Sequence, residues 1–394
     1  MMDASRSQQP LDAWDDISDS EFLNIPSDEE SIESQLPLIG ETKGKHSVNL
    51  DKPSSSSSFH KCSEEAPKQE AVKTDDVRGL KRKSLHENSF SPMQRFRKQH
   101  LSVTLLCDQT WCEMKSVYNL LKPHIKRKEM QRTEVQIGQE IHLSRELEIQ
   151  DVVPVDIRTR EDGEAVKLLN MLHMIPLLEA GQRVREFPVF GVQEGVFIMG
   201  VIDELMYNQK GELVLNELKT RRQNSLPSSA QDKVNCFQVG LYKLLFDGLV
   251  RGEMKKNHIF DHLKLRSAQI LGAGVQAHAK NLGVHARTFE ELVETLLITV
   301  SCSDLPCIDL LQIEYFHQGS NGPIGTRVAP FDEAQIRGEL QAYLSYWTGQ
   351  REPKGVDIEE AWKCRSCLYE EICEWRKNRF TVSDQQAAHS SSHL

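Results

Sequence analysis

No stretch of this 394-residue sequence is apolar for long enough to span a bilayer, which argues against a helical membrane protein. Its beginning, MMDASRSQQPLDAWDD, lacks a signal-peptide pattern, so the expectation is a soluble, intracellular chain. Internal repeats are lacking as well, which removes solenoid architectures. The nine cysteines are odd in number and irregularly spaced. That speaks against a disulfide framework and leaves metal or cluster ligation open. A surplus of positive charge is missing too, since the net charge is −10. Residues 1–50, however, hold eleven acids against three bases, so almost all of the excess lies there. A local basic groove in the remainder stays open.

Residues 1–90 read as a disordered acidic and serine-rich tail, with a serine run at Ser54–Ser58 and little apolar periodicity. Within it, WDDISDSEFLNI (Trp14–Ile25) mixes acids with spaced apolar residues. It is a candidate for folding on a partner such as a single-strand-binding protein. LKRKS (Leu80–Ser84) is a short basic cluster, and no arginine-rich, acid-poor presequence is present, so the nucleus is the expected location rather than the mitochondrion. Residues 381–394 read as a second disordered tail. Between the tails, 91–380 form the expected folded domain, a monomer.

Helical spacing predicts helices over 101–122, over Gly138–Ile149, and over EAVKLLNMLHMIPLL, the last stopped or kinked near Pro176. Three strands follow: RVREFPVFG, VFIMGVIDEL and ELVLNELKT. Then come a helix over 229–249, a strand over 262–271, a helix over 288–300, a strand at Asp309–Gly319, and a helix in FDEAQIRGELQAYLSYW. Helices flanking strands with a hairpin inside the sheet give an α/β fold with a mixed central sheet.

The hairpin concentrates chemistry. NQKG separates its two strands, and a three-residue loop Gln209-Lys210-Gly211 ending on a left-handed glycine fits. Counted about Lys210, Asp203 stands opposite Glu217, and like charges there are destabilising. Glu217 and Lys219 point to one face because the side-chain period of a strand is two. Two carboxylates at the ends of apolar, interior strands need a neutralising partner. Mg²⁺ or Mn²⁺ suits their hard oxygens, and Lys219 suits the attacking water or the charge building on a phosphorane-like transition state. Metal-assisted phosphodiester hydrolysis uses all three groups. The competing reading is a surface hairpin with a Glu–Lys pair.

WKCRSCLYEEICEW supplies Cys364, Cys367 and Cys373 near the C-terminal end. Three thiolates this close usually bind something soft, and a tetrahedral site needs a fourth, for which Cys107 and Cys112 are both candidates. Spacing alone does not separate zinc from a [4Fe–4S] cluster. Cys62, Cys236, Cys302 and Cys307 lie in no motif.

Asp203 followed by Glu217-Leu218-Lys219 resembles the PD-(D/E)XK nuclease core, and GVIDEL resembles its RecB-like branch. Two further pieces match that branch. GQEIH places His142 where the branch has a helical histidine ligand, and QVGLY (Gln238–Tyr242) resembles its Gln-x-x-x-Tyr helix motif. Positions i and i+4 share a helix face, so Gln238 and Tyr242 are expected to meet a nucleotide at the edge of the site. Glu186, in REFPVFG, matches a glutamate near the branch's site and is a further candidate. From TWCE through ELKTRR to EAWKCRSC the whole match, about residues 90–380, resembles the exonuclease V (defects-in-morphology) family. The resemblance implies Cys112, in TWCE, as the fourth ligand, and a [4Fe–4S] cluster stapling the start of the domain to its end. It also implies a Mg²⁺-dependent exonuclease on single-stranded DNA, with a role in DNA repair. Arg221 and Arg222 beside the chemistry are expected to hold the strand, with Lys243, Lys255, Lys256, Arg266, Lys280 and Arg287 as further groove candidates. Two other classes compete: a zinc-stabilised, non-catalytic DNA-binding module, and a scaffold acting through its acidic tail.

Overall fold

In the computed structural model, which describes residues 90–149 and 153–378, helices surround one six-stranded sheet. The two expected tails and the partner-binding segment Trp14–Ile25 lie outside the described residues. Ser91 opens the fold with a capping box on the short helix α1 (Pro92–Arg95). Strand β1 (Leu101–Ser102) runs directly into α2 (Val103–Leu121), followed by α3 (Pro123–Met130), α4 (Thr133–Leu147) and α5 (Arg160–Glu179). Pro176 lies inside α5, which continues to Glu179, so the helix ends one turn later than its proline suggests.

The strands β2 (Val184–Gln193), β3 (Val196–Tyr207) and β4 (Leu213–Arg221) fall where the alternation put them. Helix α6 (Ser229–Val250) is capped by Ser228, whose side chain accepts from the Gln231 amide. Next come α7 (Lys256–Leu263), α8 (Ala273–Asn281), α9 (Phe289–Cys302), β5 (Leu310–His317), β6 (Gly322–Ala329), α10 (Glu333–Trp347) and a 3₁₀ helix, Ile358–Ser366. The strand expected over 262–271 is absent. Lys264 adopts a left-handed conformation (φ 54°) that ends α7, and only Ile270 bridges, to Thr288. Conversely, β6 is an edge strand with Pro323 and two glycines, a composition that hides strands from propensity.

The sheet is mixed. β1 and β5 run parallel to β3 and β4 respectively, whereas β2–β3, β3–β4 and β5–β6 are antiparallel. Every residue of β4 is buried, as expected of an interior strand covered on both faces. One property of this sheet positions everything that follows. β2 runs along one edge of β3, while the other edge is shared: β1 pairs with Ile198 and Met199, and β4 pairs only from Glu204 onward. Between them, at Gly200–Asp203, that edge of β3 is open. No helix of the described residues is long and apolar enough to cross a membrane.

Candidate active site

The hairpin loop is the one its sequence specifies. Asn208 and Glu212 close it, Gly211 takes φ 78°, and the Asn208 side chain accepts from the amides of Lys210 and Glu212. The register pairs Glu204 with Asn216, which by count sets Asp203 against Glu217. The ladder stops one pair short of them. Asp203 instead turns its carboxylate into the gap, where Oδ2 accepts the Leu218 amide at 2.8 Å.

A second irregularity faces it from β2. Arg185 and Phe187 pair with Glu204 and Ile202, but the intervening Glu186 has φ 53° and makes no ladder pair with Asp203. A glutamate in this region is strained by about 1–3 kcal/mol, and such outliers cluster at functional sites. The third contributor is α4, whose His142 Nδ1 lies 3.9 Å from Asp203 Oδ2. One ligand atom each from His142, Glu186 and Asp203 lies within 4.8 Å of the others. Glu186, only a further candidate in the sequence, therefore stands in one group with His142 and Asp203.

Glu217 and Lys219 meet α6. Lys219 Nζ donates to Glu217 Oε1 at 2.9 Å and to Gln238 Oε1 at 2.7 Å, while Gln238 Nε2 donates to Glu217 Oε1 at 2.7 Å and to Tyr242 Oη at 3.1 Å. Gln238 and Tyr242 are 3% and 0% exposed. Their polar ends thus order the carboxylate and the ammonium instead of presenting a face to a base. Gly200 makes this docking feasible, because a Cβ there would sit 2.5 Å from the Tyr242 ring and 2.8 Å from Val103. Gly200→Ala is expected to push Tyr242 and Gln238 off Lys219. Overpacking of this kind costs about 1–3 kcal/mol. Melting curves alongside single-strand digestion rates check it, and an unchanged rate counts against the linkage.

Arg221 is buried, its Nε bonded to the Ser225 carbonyl at 2.8 Å, so it secures the β4–α6 loop. Arg222 is half exposed and lies 3.6 Å from Glu134 at the start of α4. Several of the expected groove residues are engaged in ion pairs: Lys243 with Asp247, Lys256 with Glu290 and Glu294, Arg266 with Glu161.

Burial shapes the electrostatics. It raises Asp203 to about 6 against the pull of Lys219, and raises Glu217 to about 7 with the Asp203 charge adding to the effect. Burial lowers His142 to about 4 despite the nearby Glu217, so its imidazole is neutral and ready to be a ligand. Two carboxylates and one imidazole, those of Asp203, Glu186 and His142, form this group, a mainly hard, oxygen-rich donor set that fits Mg²⁺ or Mn²⁺, with Glu217 held beside it by Lys219 and Gln238.

Away from this site, Cys112 of α2 and Cys364, Cys367 and Cys373 near the C-terminal end line one pocket together with Tyr118, Tyr369 and Trp375. Cys112 interrupts α2 with φ −166° and ψ 110°, an extended residue between two helical halves. Burial raises its thiol to about 12, and the other three cysteines add to the shift. Cys107 lies buried in the hydrophobic core.

Acids and a lysine gathered at a split in a sheet, backed by a glutamine from the next helix, are the equipment of a nuclease. A family model described as exonuclease V, a 5′ deoxyribonuclease, matches residues 91–214, 207–295 and 279–376. The chain therefore belongs to the exonuclease V family, and its class is that of a DNA exonuclease. The crystal structure of SSO0001 is also similar, with 14% identity over 72% of this chain and 94% of that one, at a TM-score of 0.36.

Proposed function

We propose that this chain is a Mg²⁺- or Mn²⁺-dependent exonuclease that hydrolyses single-stranded DNA from an end, with 5′ polarity taken from its family, and serves DNA repair in the nucleus. The observation that carries this reading is the convergence of His142, Glu186 and Asp203 ligand atoms within 4.8 Å, beside the Glu217–Lys219–Gln238 triplet. The open edge of β3 beside an antiparallel hairpin supports reading the fold as a PD-(D/E)XK core.

A divalent cation held by Asp203, Glu217, Glu186 and His142 would supply Lewis-acid charge at the scissile phosphate and acidify a bound water. Asp203 is fixed for this by the Leu218 amide, and Glu217 by Lys219 and Gln238. Lys219, held between two oxygens, would donate to the attacking water or to the phosphate oxygen on which charge builds. The deciding assay incubates the protein and Lys219→Ala with end-labelled single strands and Mg²⁺. Equal product from the two would remove the assignment.

For the four cysteines we propose a [4Fe–4S] cluster. Cys112, Cys364, Cys367 and Cys373 line one pocket, which brings together the four thiols that such a cluster needs.

The raised carboxylates set a pH signature. In the metal-free protein Asp203 and Glu217 favour the fold fully below their ordinary values near 4, and that contribution is lost as pH rises through about 6 and about 7. His142, lowered to about 4, has the opposite sign, contributing above its ordinary value of 6.5 and losing that contribution as pH falls toward 4. A cation therefore competes with protons at the carboxylates between these limits. The thermal shift produced by Mg²⁺ or Mn²⁺ is expected to be large at pH 8 and small at pH 5.5 by scanning fluorimetry. Equal shifts at both would contradict it.

A further inference from the structure

Each ligand candidate has a polar neighbour that hydrolysis does not use. Arg185 precedes Glu186, Glu204 follows Asp203, Asn216 precedes Glu217, and Arg145 lies one turn beyond His142. By register, Arg185, Glu204, Asn216 and Gln312 stand directly opposed across β2, β3, β4 and β5. Arg185, Glu204 and Asn216 are each no more than 5% exposed.

The contacts form one chain. Arg185 Nη2 donates to Glu204 Oε1 at 3.0 Å, and Asn216 Nδ2 donates to Glu204 Oε2 at 2.8 Å. Gln312 Nε2 donates to Asn216 Oδ1 at 3.1 Å, and Asn216 Nδ2 reaches Glu314 Oε2 at 3.4 Å. Arg145 Nη2 closes the chain onto Glu314 Oε1 at 3.0 Å, tying α4 to β5. Arg183 adds a second cation to Glu204 at 3.3 Å.

The position of this row is telling. Glu204–Asn216 is the last closed pair before β3 and β4 part, and Arg185–Glu204 borders the gap at Glu186 and Asp203. Backbone pairing stops where the ligands must be held most accurately. Side-chain bonds take over there. Apolar residues would bury at least as favourably, so a buried ionic row gains nothing obvious in stability; fixing one register is what it does better.

We propose that this row is the positioning device of the site, locking β2, β3, β4 and α4 so that Glu186, Asp203, Glu217 and His142 reach one ion. The inference rests on the metal-site reading above. Outer partners of metal ligands typically change affinity about 10–100-fold when removed.

The test measures Mn²⁺ binding to the full-length protein without DNA, by electron paramagnetic resonance of the free ion, together with melting curves. Asn216→Ala and Arg145→Met are expected to weaken Mn²⁺ binding roughly 10–100-fold, with Arg145→Lys recovering part of the loss. Leu292→Ala, in the core of α9, serves as a control that lowers the melting temperature and leaves Mn²⁺ affinity at the wild-type value. Should Asn216→Ala fail to fold, Arg145→Met decides alone, since that side chain is 25% exposed at the rim. Folded variants binding Mn²⁺ as tightly as wild type would overturn the positioning role and leave the metal reading intact. A wild-type protein that binds no Mn²⁺ would remove both.

Discussion

Asp203→Asn is expected to abolish at least about a thousandfold of the DNA hydrolysis while leaving the metal-free protein at pH 8 as stable as wild type, or more so. The two effects share one cause. Asp203 is 3% exposed, and burial raises its carboxyl to about 6, so at pH 8 the metal-free fold holds a charge it disfavours. Asparagine removes that charge and keeps an oxygen for the Leu218 amide, now 2.8 Å from Oδ2. On the proposed metal site asparagine would lose an anionic ligand, and charge stabilisation through a metal is worth several kcal/mol, at about 1.4 kcal/mol per tenfold in rate. Digestion of end-labelled single strands in Mg²⁺ measures the first effect, and melting in chelator measures the second. A variant that cuts at the wild-type rate, or that melts well below wild type, would mean that Asp203 supports the fold rather than the reaction.

Much of this site was legible because the hairpin is local. Asn208 to Glu212 dictate a loop length, loop length dictates register, and register sets Asp203 against Glu217. What the pattern could not show is that the ladder opens at that pair, because the parting depends on β1 taking the other half of the β3 edge. Glu186 illustrates the same limit. Its residue type fits an edge strand, and only its positive φ reveals that the chain bends to deliver it.

The row through Glu204 and Asn216 was nevertheless within reach. Both sit in the same apolar runs, VFIMGVIDEL and LVLNELK, whose buried acids demanded a partner for Asp203 and Glu217. Applied to every polar residue in those runs, that reasoning would have found them. The partners of the basic residues were hidden for a different reason. Lysines and arginines announce charge without their partners, and Glu161, Asp247 and Glu290, each distant in sequence or hidden in a helix, claim Arg266, Lys243 and Lys256. The strand expected over 262–271 has alternating residues that serve a helix end and a loop instead, since Lys264 turns left-handed within it.

Losing the cysteine site should have the largest effect on stability. A cluster held by Cys112 and Cys364 would join segments about 250 residues apart, and a cross-link closing a loop of 100 residues is already worth about 4.7 kcal/mol in the chain-entropy model. For a domain of this size each kcal/mol moves the melting temperature by about 2–4 °C, so Cys112→Ser or Cys364→Ser should lower it by roughly 10–20 °C. Complete unfolding is not expected, because protein contacts span the same seam. Tyr118 stacks on Tyr369 at 5.4 Å, and Tyr369 Oη donates to Asn119 Oδ1 at 2.8 Å. Glu113, beside Cys112, accepts from Arg351 Nη1 at 2.6 Å and Nη2 at 2.8 Å. Cys302→Ser, exposed at the end of α9, should leave melting unchanged. Air-free purification should give coloured, iron-containing wild-type protein, with colour and iron lost together in the Cys112 and Cys364 variants. Iron-free protein that melts identically with and without Cys364 would leave the seam to Glu113 and the tyrosines alone.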